Sequence, residues 1–370
     1  MTSITTSAPG KCILFGEHAV VYGHPAVAVA IDQRISVRIQ PSPSGIWLLD
    51  GNKLNMQRNP HIAALINKLW PKESGAPPLS IHIEGNIPRA AGLGSSAALS
   101  VAFAGALRLA RGRLMRDAGS NDRVHWAEGF ASTISLTSAY DNKTGVFPDQ
   151  TLSELFHLTG PESVDADENA ILAHSVEAIA QKGRASPMDS STCSHGGIIV
   201  ISDQQENKLD YLYHRELTTP NGTVRWHIHE LASIEQPDDV YLVIGNTGVN
   251  APTAKQVAKV AKMLQDNPAK IEEIETIGKI ARRGIEALKR ADYAAVGRTM
   301  SENQLMLRSI GVSSPELDVL IRAATPSSLG VKLTGAGGGG CMVALTKNPR
   351  VTSDAIELAG GRTLISKLGS

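Results

Sequence analysis

At 370 residues the chain is too long for one comfortable core and is expected to form two domains of ordinary size. Its 36 Lys+Arg balance 36 Asp+Glu, which argues against a nucleic-acid partner and against a charged interaction tail, and aromatic residues at 4% are too few for base or sugar stacking to dominate recognition. Cys12, Cys193 and Cys341 are odd in number and far apart, so neither a disulfide framework nor a CxxC metal spacing is visible. With no basic leader before an apolar run, and no apolar segment of roughly 18 residues, the expectation is a cytoplasmic protein without a membrane partner.

Residues 12–40 read as three strand-like runs, CILFGEHAVVYG, HPAVAVAID and RISVRIQ. In the last of them Ile35, Val37 and Ile39 alternate with Ser36, Arg38 and Gln40 as in a half-buried strand. SIHIEG (80–85) alternates in the same way. AALSVAFAGALRLARG is apolar nearly all round as far as Arg108, which predicts a buried helix stopping near Gly112. Residues 113–170 mix charge, turn residues and short apolar pieces, and no role is assigned to them. A helix follows over 169–182, then GRASPMDSSTCSHGG and the strand GIIVIS.

The polar patch at 203–223 reads as hairpin turns or a linker, and WHIHEL and VYLVIG as strands. PTAKQVAKVAKML, PAKIEEIETIGKIARRGIEALKR and SPELDVLIRAA read as helices, the second with Ile271, Ile274, Ile277 and Ile280 roughly on one face. VKLTGAGGGGCMVAL is strand, glycine run, strand. No period of 20–50 residues repeats. The fold class is α+β with a boundary near 220, giving domains 1–220 and 221–370.

Two glycine motifs carry the chemical argument. PRAAGLGSSAALS (88–100) feeds a strand-like run into a helix. A helix N-terminus leaves backbone N–H groups unpaired and partly positive, and Gly92 and Gly94 remove the Cβ atoms that would keep a phosphate away from them. Ser95 and Ser96 could cap the helix or offer hydroxyls to phosphate or metal. The loop is neither a Walker A loop nor GxGxxG, and on its own it reads equally as a small capped turn. GAGGGGC (335–341) is a second run, and consecutive glycines are entropically costly to order. It reads as a tight hairpin or bulge, or as backbone that must approach something bulky or charged.

Together with SAPGKCILFGEHAVVYG (7–23), these motifs resemble, in order and approximate spacing, the three signature motifs of the GHMP kinases. GEHAVVYGHPAVAVAI, NTGVNAPTAKQVAKV, NQLMLRSIGVSSPELDVL and KLTGAGGGGC are most similar to the mevalonate kinase branch. The resemblance implies a two-domain fold, an N-terminal domain like domain 2 of ribosomal protein S5 and a C-terminal ferredoxin-like α/β sandwich. It implies transfer of the ATP γ-phosphoryl to the 5-hydroxyl of mevalonate in isoprenoid synthesis, with Mg²⁺ as cofactor, ATP and mevalonate as partners, and in many members a homodimer.

The same resemblance distributes roles. Asp189 is the proton acceptor and Lys11 its cationic partner at the attacking oxygen. In this chain the segment reads ASPMD, so Pro187 stands where the family often has glycine. Pro88 and Ala91, Gly92, Leu93, Gly94, Ser95, Ser96 and Ala97 form the ATP loop. Ser96 and Glu177 are the Mg²⁺ ligands, with Glu168 the substitute for Glu177. Glu17, His18, Thr247, Thr334, Gly335 and Ala336 join Asp189 around the acceptor. Asp189 alone reads also as a helix cap, Lys11 as a surface lysine and His18 as a structural histidine. Another kinase of the family is the rival enzyme, since Arg89 and Arg184 near the motifs could hold a phosphorylated acceptor. The non-enzyme rival is an ATP and ligand sensor on the same scaffold.

Overall fold

The computed structural model describes residues 3–70, 72, 76–88, 91–116, 166–180, 185–219, 222–231 and 239–369. Arg89 and Arg184, and most of 113–170, lie outside them.

The first domain is built on a long strand, β2 (Ala26–Pro41), paired antiparallel along its length with β1 (Ile4–Phe15). Its other edge takes β5 (Leu79–Gly85) and β6 (Ile198–Ser202). With β3 (Leu48–Leu49), β4 (Asn52–Lys53), β7 (Asp210–Thr219) and β8 (Gly222–Glu230) the order is β4-β3-β5-β2-β6-β8-β7. The alternation read at 35–40 holds: Ile35, Val37 and Ile39 are buried while Arg38 and Gln40 face solvent. Helix α1 (Pro60–Leu69) precedes β5.

On the buried face lie α2 (Ser95–Arg116), α3 (Ala166–Ala180) and α4 (Met188–His195). α2 runs past the expected stop at Gly112. Its alanines, Ala97, Ala98, Ala102, Ala104, Ala106 and Ala110, let it lie close to the sheet, and Thr6 Oγ1 donates to the Ala102 carbonyl at 2.5 Å. Phe103 and Leu107, fully buried there, each contribute about 1.5–3 kcal/mol of burial.

Two local readings are corrected. CILFGEHAVVYG is not one strand: β1 ends at Phe15, the chain reverses at Gly16 (φ 90), and Ala19–Tyr22 form a 3₁₀ turn closed by Gly23. A Cβ on Gly16 would stand 2.4 Å from the Pro25 carbonyl oxygen, so the reversal needs glycine. The boundary near 220 falls between β7 and β8, which pair with each other, and β8 pairs with β6 inside the large sheet. The patch read as hairpin turns or linker contains strand β7, and we place the boundary between Leu231 and Val240.

The second domain is a four-stranded antiparallel sheet of β9 (Tyr241–Asn246), β10 (Gly330–Thr334), β11 (Cys341–Thr346) and β12 (Arg362–Lys367), in the order β10-β11-β9-β12. Helices α5 (Thr253–Asp266), α6 (Ile271–Lys289), α7 (Tyr293–Ser309) and α8 (Pro315–Ala324) lie between β9 and β10, and α9 (Pro349–Leu358) between β11 and β12. Strand order and helix placement are those of a ferredoxin-like βαββαβ unit with an enlarged first crossover. In α6, Ile274, Ile277 and Ile280 are buried as the periodicity requires, while Ile271 is exposed. The same helix joins the domains: a Cβ on Gly284 would come within 2.5 Å of the Phe15 ring, and one on Gly278 within 2.6 Å of the His24 ring.

Candidate active site

The cavity between the domains is open to solvent and holds about 880 Å³ of atom-free space, open solvent included. Strand β1 delivers Lys11 to its floor. The Lys11 backbone N–H donates to the Leu93 carbonyl at 3.0 Å and Nζ donates to the Gly92 carbonyl at 3.1 Å. The loop at the start of α2 is thus tied to β1. Gly92 and Gly94 adopt φ 82 and 72, and a Cβ on Gly94 would meet the Lys11 stem at 2.9 Å. Gly92, Leu93, Gly94, Ser95 and Ser96 line the cavity. Pro88, Ala91 and Ala97 do not; Ala91 and Ala97 are buried beneath the loop as its supports.

The second glycine run packs backbone on backbone. A Cβ on Gly335 would stand 2.8 Å from Gly92 Cα, one on Gly340 2.9 Å from the Ala91 carbonyl oxygen, and one on Gly337 2.1 Å from that of Val312. The bulky neighbour that the run has to approach is therefore the first glycine loop together with the Val312 turn. Gly335 and Ala336 reach the cavity wall.

Asp189 enters from the first turn of α4. Pro187 caps that helix at φ −72, the angle its ring imposes, and its carbonyl accepts the Ser191 N–H at 2.9 Å, so proline in place of glycine leaves the helix start intact. Asp189 Oδ1 lies 3.0 Å from Lys11 Nζ, with side-chain exposures of 32% and 2%. The carboxylate is open to a ligand and the ammonium is sealed behind it. Burial works against the Lys11 charge, but the Asp189 charge and hydrogen bond outweigh it and raise the lysine above its ordinary value. Lys11 is a fixed cation.

Beside them, Ser96 Oγ donates to Glu177 Oε1 at 3.2 Å. Burial, then the nearby Asp189 charge, push Glu177 up to about 8 against the smaller pull of Ser96 and Lys11. Across the cavity His18 adopts φ 61, and its Nε2 lies 3.0 Å from the Ala336 carbonyl oxygen. A carbonyl only accepts, so Nε2 carries the proton and Nδ1 is left as acceptor. Burial, with help from the Lys332 charge, lowers His18 to about 4 and keeps the ring neutral.

Two family models match the chain in order, the GHMP kinases N terminal domain over residues 61–138 and the GHMP kinases C terminal domain over 285–357. The mevalonate kinase of Methanothermobacter thermautotrophicus is 31% identical, over 92% of this chain and 89% of that one. That of Thermococcus onnurineus is also 31% identical, over 99% and 96%. This chain belongs to the GHMP kinase family. The fold agrees: the crystal structure of L. major mevalonate kinase in complex with R-mevalonate matches at TM-score 0.64 and 22% identity, covering 100% of this chain and 97% of that one.

In this GHMP kinase not every expected residue reaches the cavity. The Thr334 hydroxyl accepts the Ile13 backbone N–H at 2.7 Å, and the Thr247 hydroxyl donates to the Gly340 carbonyl at 2.9 Å. Both hold the scaffold, and neither lines the cavity. Glu168 is paired with Arg108 in the core and is no substitute for Glu177. Glu17 lines the cavity, but its carboxylate is engaged by Lys332 and by Asn303 Nδ2, the latter at 3.0 Å. Sequence reasoning passed over Lys332, although a lysine in the apolar run VKLT was a signal. It also passed over Val20, Val21, Met188, Thr253 and Val257, which line the cavity. Apolar residues next to a motif carry no mark that separates lining from core.

Among the described residues no group of three or more His, Cys, Asp or Glu could hold a metal alone, and no helix is long and apolar enough to cross a membrane.

Proposed function

We propose that the chain is a mevalonate kinase, transferring the γ-phosphoryl of ATP to the 5-hydroxyl of mevalonate to give 5-phosphomevalonate and ADP. The observation that carries the reading is the Asp189–Lys11 pair, 3.0 Å apart and facing a glycine loop at a helix N-terminus. That mevalonate kinases match almost end to end at 31% identity supports the acceptor.

The backbone N–H groups of Gly92 to Ser96 face the phosphates at the positive end of α2. Ser96 and Glu177 would hold Mg²⁺. The donor set fits a hard cation, being a hydroxyl and a buried carboxylate whose raised proton affinity marks a place short of positive charge, with phosphate oxygens to complete it. Held by these two residues, Mg²⁺ would supply positive charge against the transferring phosphoryl group. Asp189 accepts the proton of the 5-hydroxyl, and Lys11 stabilises the charge that develops on the attacking oxygen. His18 presents Nδ1 as an acceptor to a hydroxyl of the substrate. We place the reaction in the cytoplasm; the free thiols of Cys12, Cys193 and Cys341 support a reducing compartment.

The test is ADP release with mevalonate, phosphomevalonate, galactose and homoserine as acceptors. Mevalonate alone is expected to support turnover, and Asp189→Asn and Lys11→Met each to lower kcat by about 10²–10⁴. Turnover of galactose but not mevalonate would overturn the acceptor, and activity undiminished in both variants would overturn the mechanism.

A further inference from the structure

The proposed chemistry makes no use of Lys332, yet this lysine is completely buried and its ammonium is spent on the Glu17 carboxylate and the Ile13 and Leu333 carbonyls. Asn303 on α7 closes the other carboxylate oxygen. Three segments from both domains therefore converge on one side chain at the cavity floor. A buried ion pair is poor evidence of stabilisation, because desolvating two charges offsets their attraction. Burial here pulls Lys332 below and pushes Glu17 above their ordinary values, each against the influence of the other. The pair calls for a different explanation.

Its neighbours supply one. Glu17 stands between Gly16 at φ 90 and His18 at φ 61. A left-handed non-glycine residue persists only where its surroundings over-determine it. Residue 17 is held by Lys332, and the residue 18 ring by the Ala336 carbonyl. Both grips come from one short stretch, the end of β10 and the turn that follows it.

We propose that Lys332 is a positioning residue for the phosphoryl acceptor: through Glu17 it fixes His18 in the cavity wall, as the Nε2–H tautomer with Nδ1 toward substrate. The inference rests on the mevalonate kinase reading for the identity of the acceptor but not for the grip itself. It assigns the buried pair to substrate placement and not to fold stability.

The experiment compares full-length wild type, Lys332→Met and Lys332→Met/Glu17→Gln. Removing one charge strands the other, so Lys332→Met melts lower. Removing both relieves that penalty, and the double variant melts close to wild type. The double variant is nevertheless expected to show a KM for mevalonate raised about tenfold or more, with the KM for ATP within about twofold of wild type. A double variant that regains both melting temperature and mevalonate KM would show a purely structural pair and overturn the proposal.

Histidine-selective ¹⁵N spectra supply a readout that needs no acceptor: the His18 ring is expected to be Nε2–H in wild type and to lose that single tautomer in the double variant. An unchanged His18 signal overturns the grip. A wild type inactive on mevalonate overturns the functional reading, while the spectra still decide the grip. Should the double variant not fold, the isosteric Glu17→Gln is measured by the same two readouts with the same expected directions, and no change in either overturns the proposal.

Discussion

A carboxylate buried beside another carboxylate is a poor anion until a cation arrives, and Glu177 is in that position. Its proton affinity is raised from 4.5 to about 8, so between those values the folded chain binds more protons than the unfolded one. Stability then falls as pH rises across that window. His18 acts with the opposite sign. Lowered from 6.5 to about 4, it contributes stability that is present above 6.5 and lost as pH falls through that interval. The two slopes oppose each other up to 6.5, and from about 7 upward Lys68, lowered by burial from 10.5 to about 7, opposes Glu177 in its turn. The Glu177 share is therefore read as a difference: from pH 6.5 to 8 metal-free wild type is expected to lose melting temperature relative to Glu177→Gln. MgATP, which puts a cation beside Glu177, should flatten that difference. Thermal melts across this range check it, and an unchanged slope in Glu177→Gln would show that the buried carboxylate is not its origin. The places of Lys11, Asp189, Ser96 and Glu177 around one cavity were legible, the first three from their motifs and Glu177 as the helical glutamate that precedes Asp189. Thr334, Thr247 and Glu168 were not, because the partner of a hydroxyl or carboxylate is chosen by tertiary contact: a backbone N–H, a backbone carbonyl and Arg108.

At the scale of elements, the two glycine motifs work as one unit. A side chain at Gly335 would need φ 84 and would set its Cβ 2.8 Å from Gly92 Cα, against backbone that cannot turn aside. Gly360 provides the control, with φ 91 and nothing within 4 Å of its hypothetical Cβ. Gly335→Ala and Gly360→Ala should both lose about 1–3 kcal/mol to backbone strain. Only Gly335→Ala should also raise the KM for ATP, by about tenfold or more, because only there does relief of the clash displace the phosphate loop. Equal kinetics in the two variants would mean that the loop does not depend on the second run. The regular elements with clear period, such as β2 and α6, could be read from the chain. The reversal after Phe15 could not, since AVV continues the apolar pattern of the strand while the turn is dictated by the contact of Gly16 with Pro25.

For the whole molecule, the question is whether two sheets make two thermodynamic units. The boundary read near 220 failed because a polar hairpin and a polar linker have the same composition; what distinguishes them is the pairing of β8 with β6. Once that hairpin is restored to the first domain, the contacts between domains gather on β1, β2 and the turn after β1, with Arg282 and Lys289 of α6 pairing with Glu206 beside them. The Ile13 N–H reaches Thr334, the Ser366 hydroxyl accepts the Asp32 N–H at 3.1 Å, Lys332 meets Glu17, and the Phe15 ring lies on Gly284. Each ties β1, β2 or the turn after β1 to the second domain, so opening the domains exchanges these bonds for bonds to water, at about 0.5–1.5 kcal/mol net for each hydrogen bond. Calorimetry of the unliganded protein is accordingly expected to show a single transition. A ligand that touches both walls of the cavity should raise that transition as a whole, by mass action. Gly284→Leu drives a branched side chain into the Phe15 ring and should part the domains along α6, giving two transitions with the first at lower temperature. Two well-separated transitions in wild type would mean that the shared floor of the site does not couple the domains. A single, unshifted transition in Gly284→Leu would place the coupling in the polar contacts of Thr334 and Ser366.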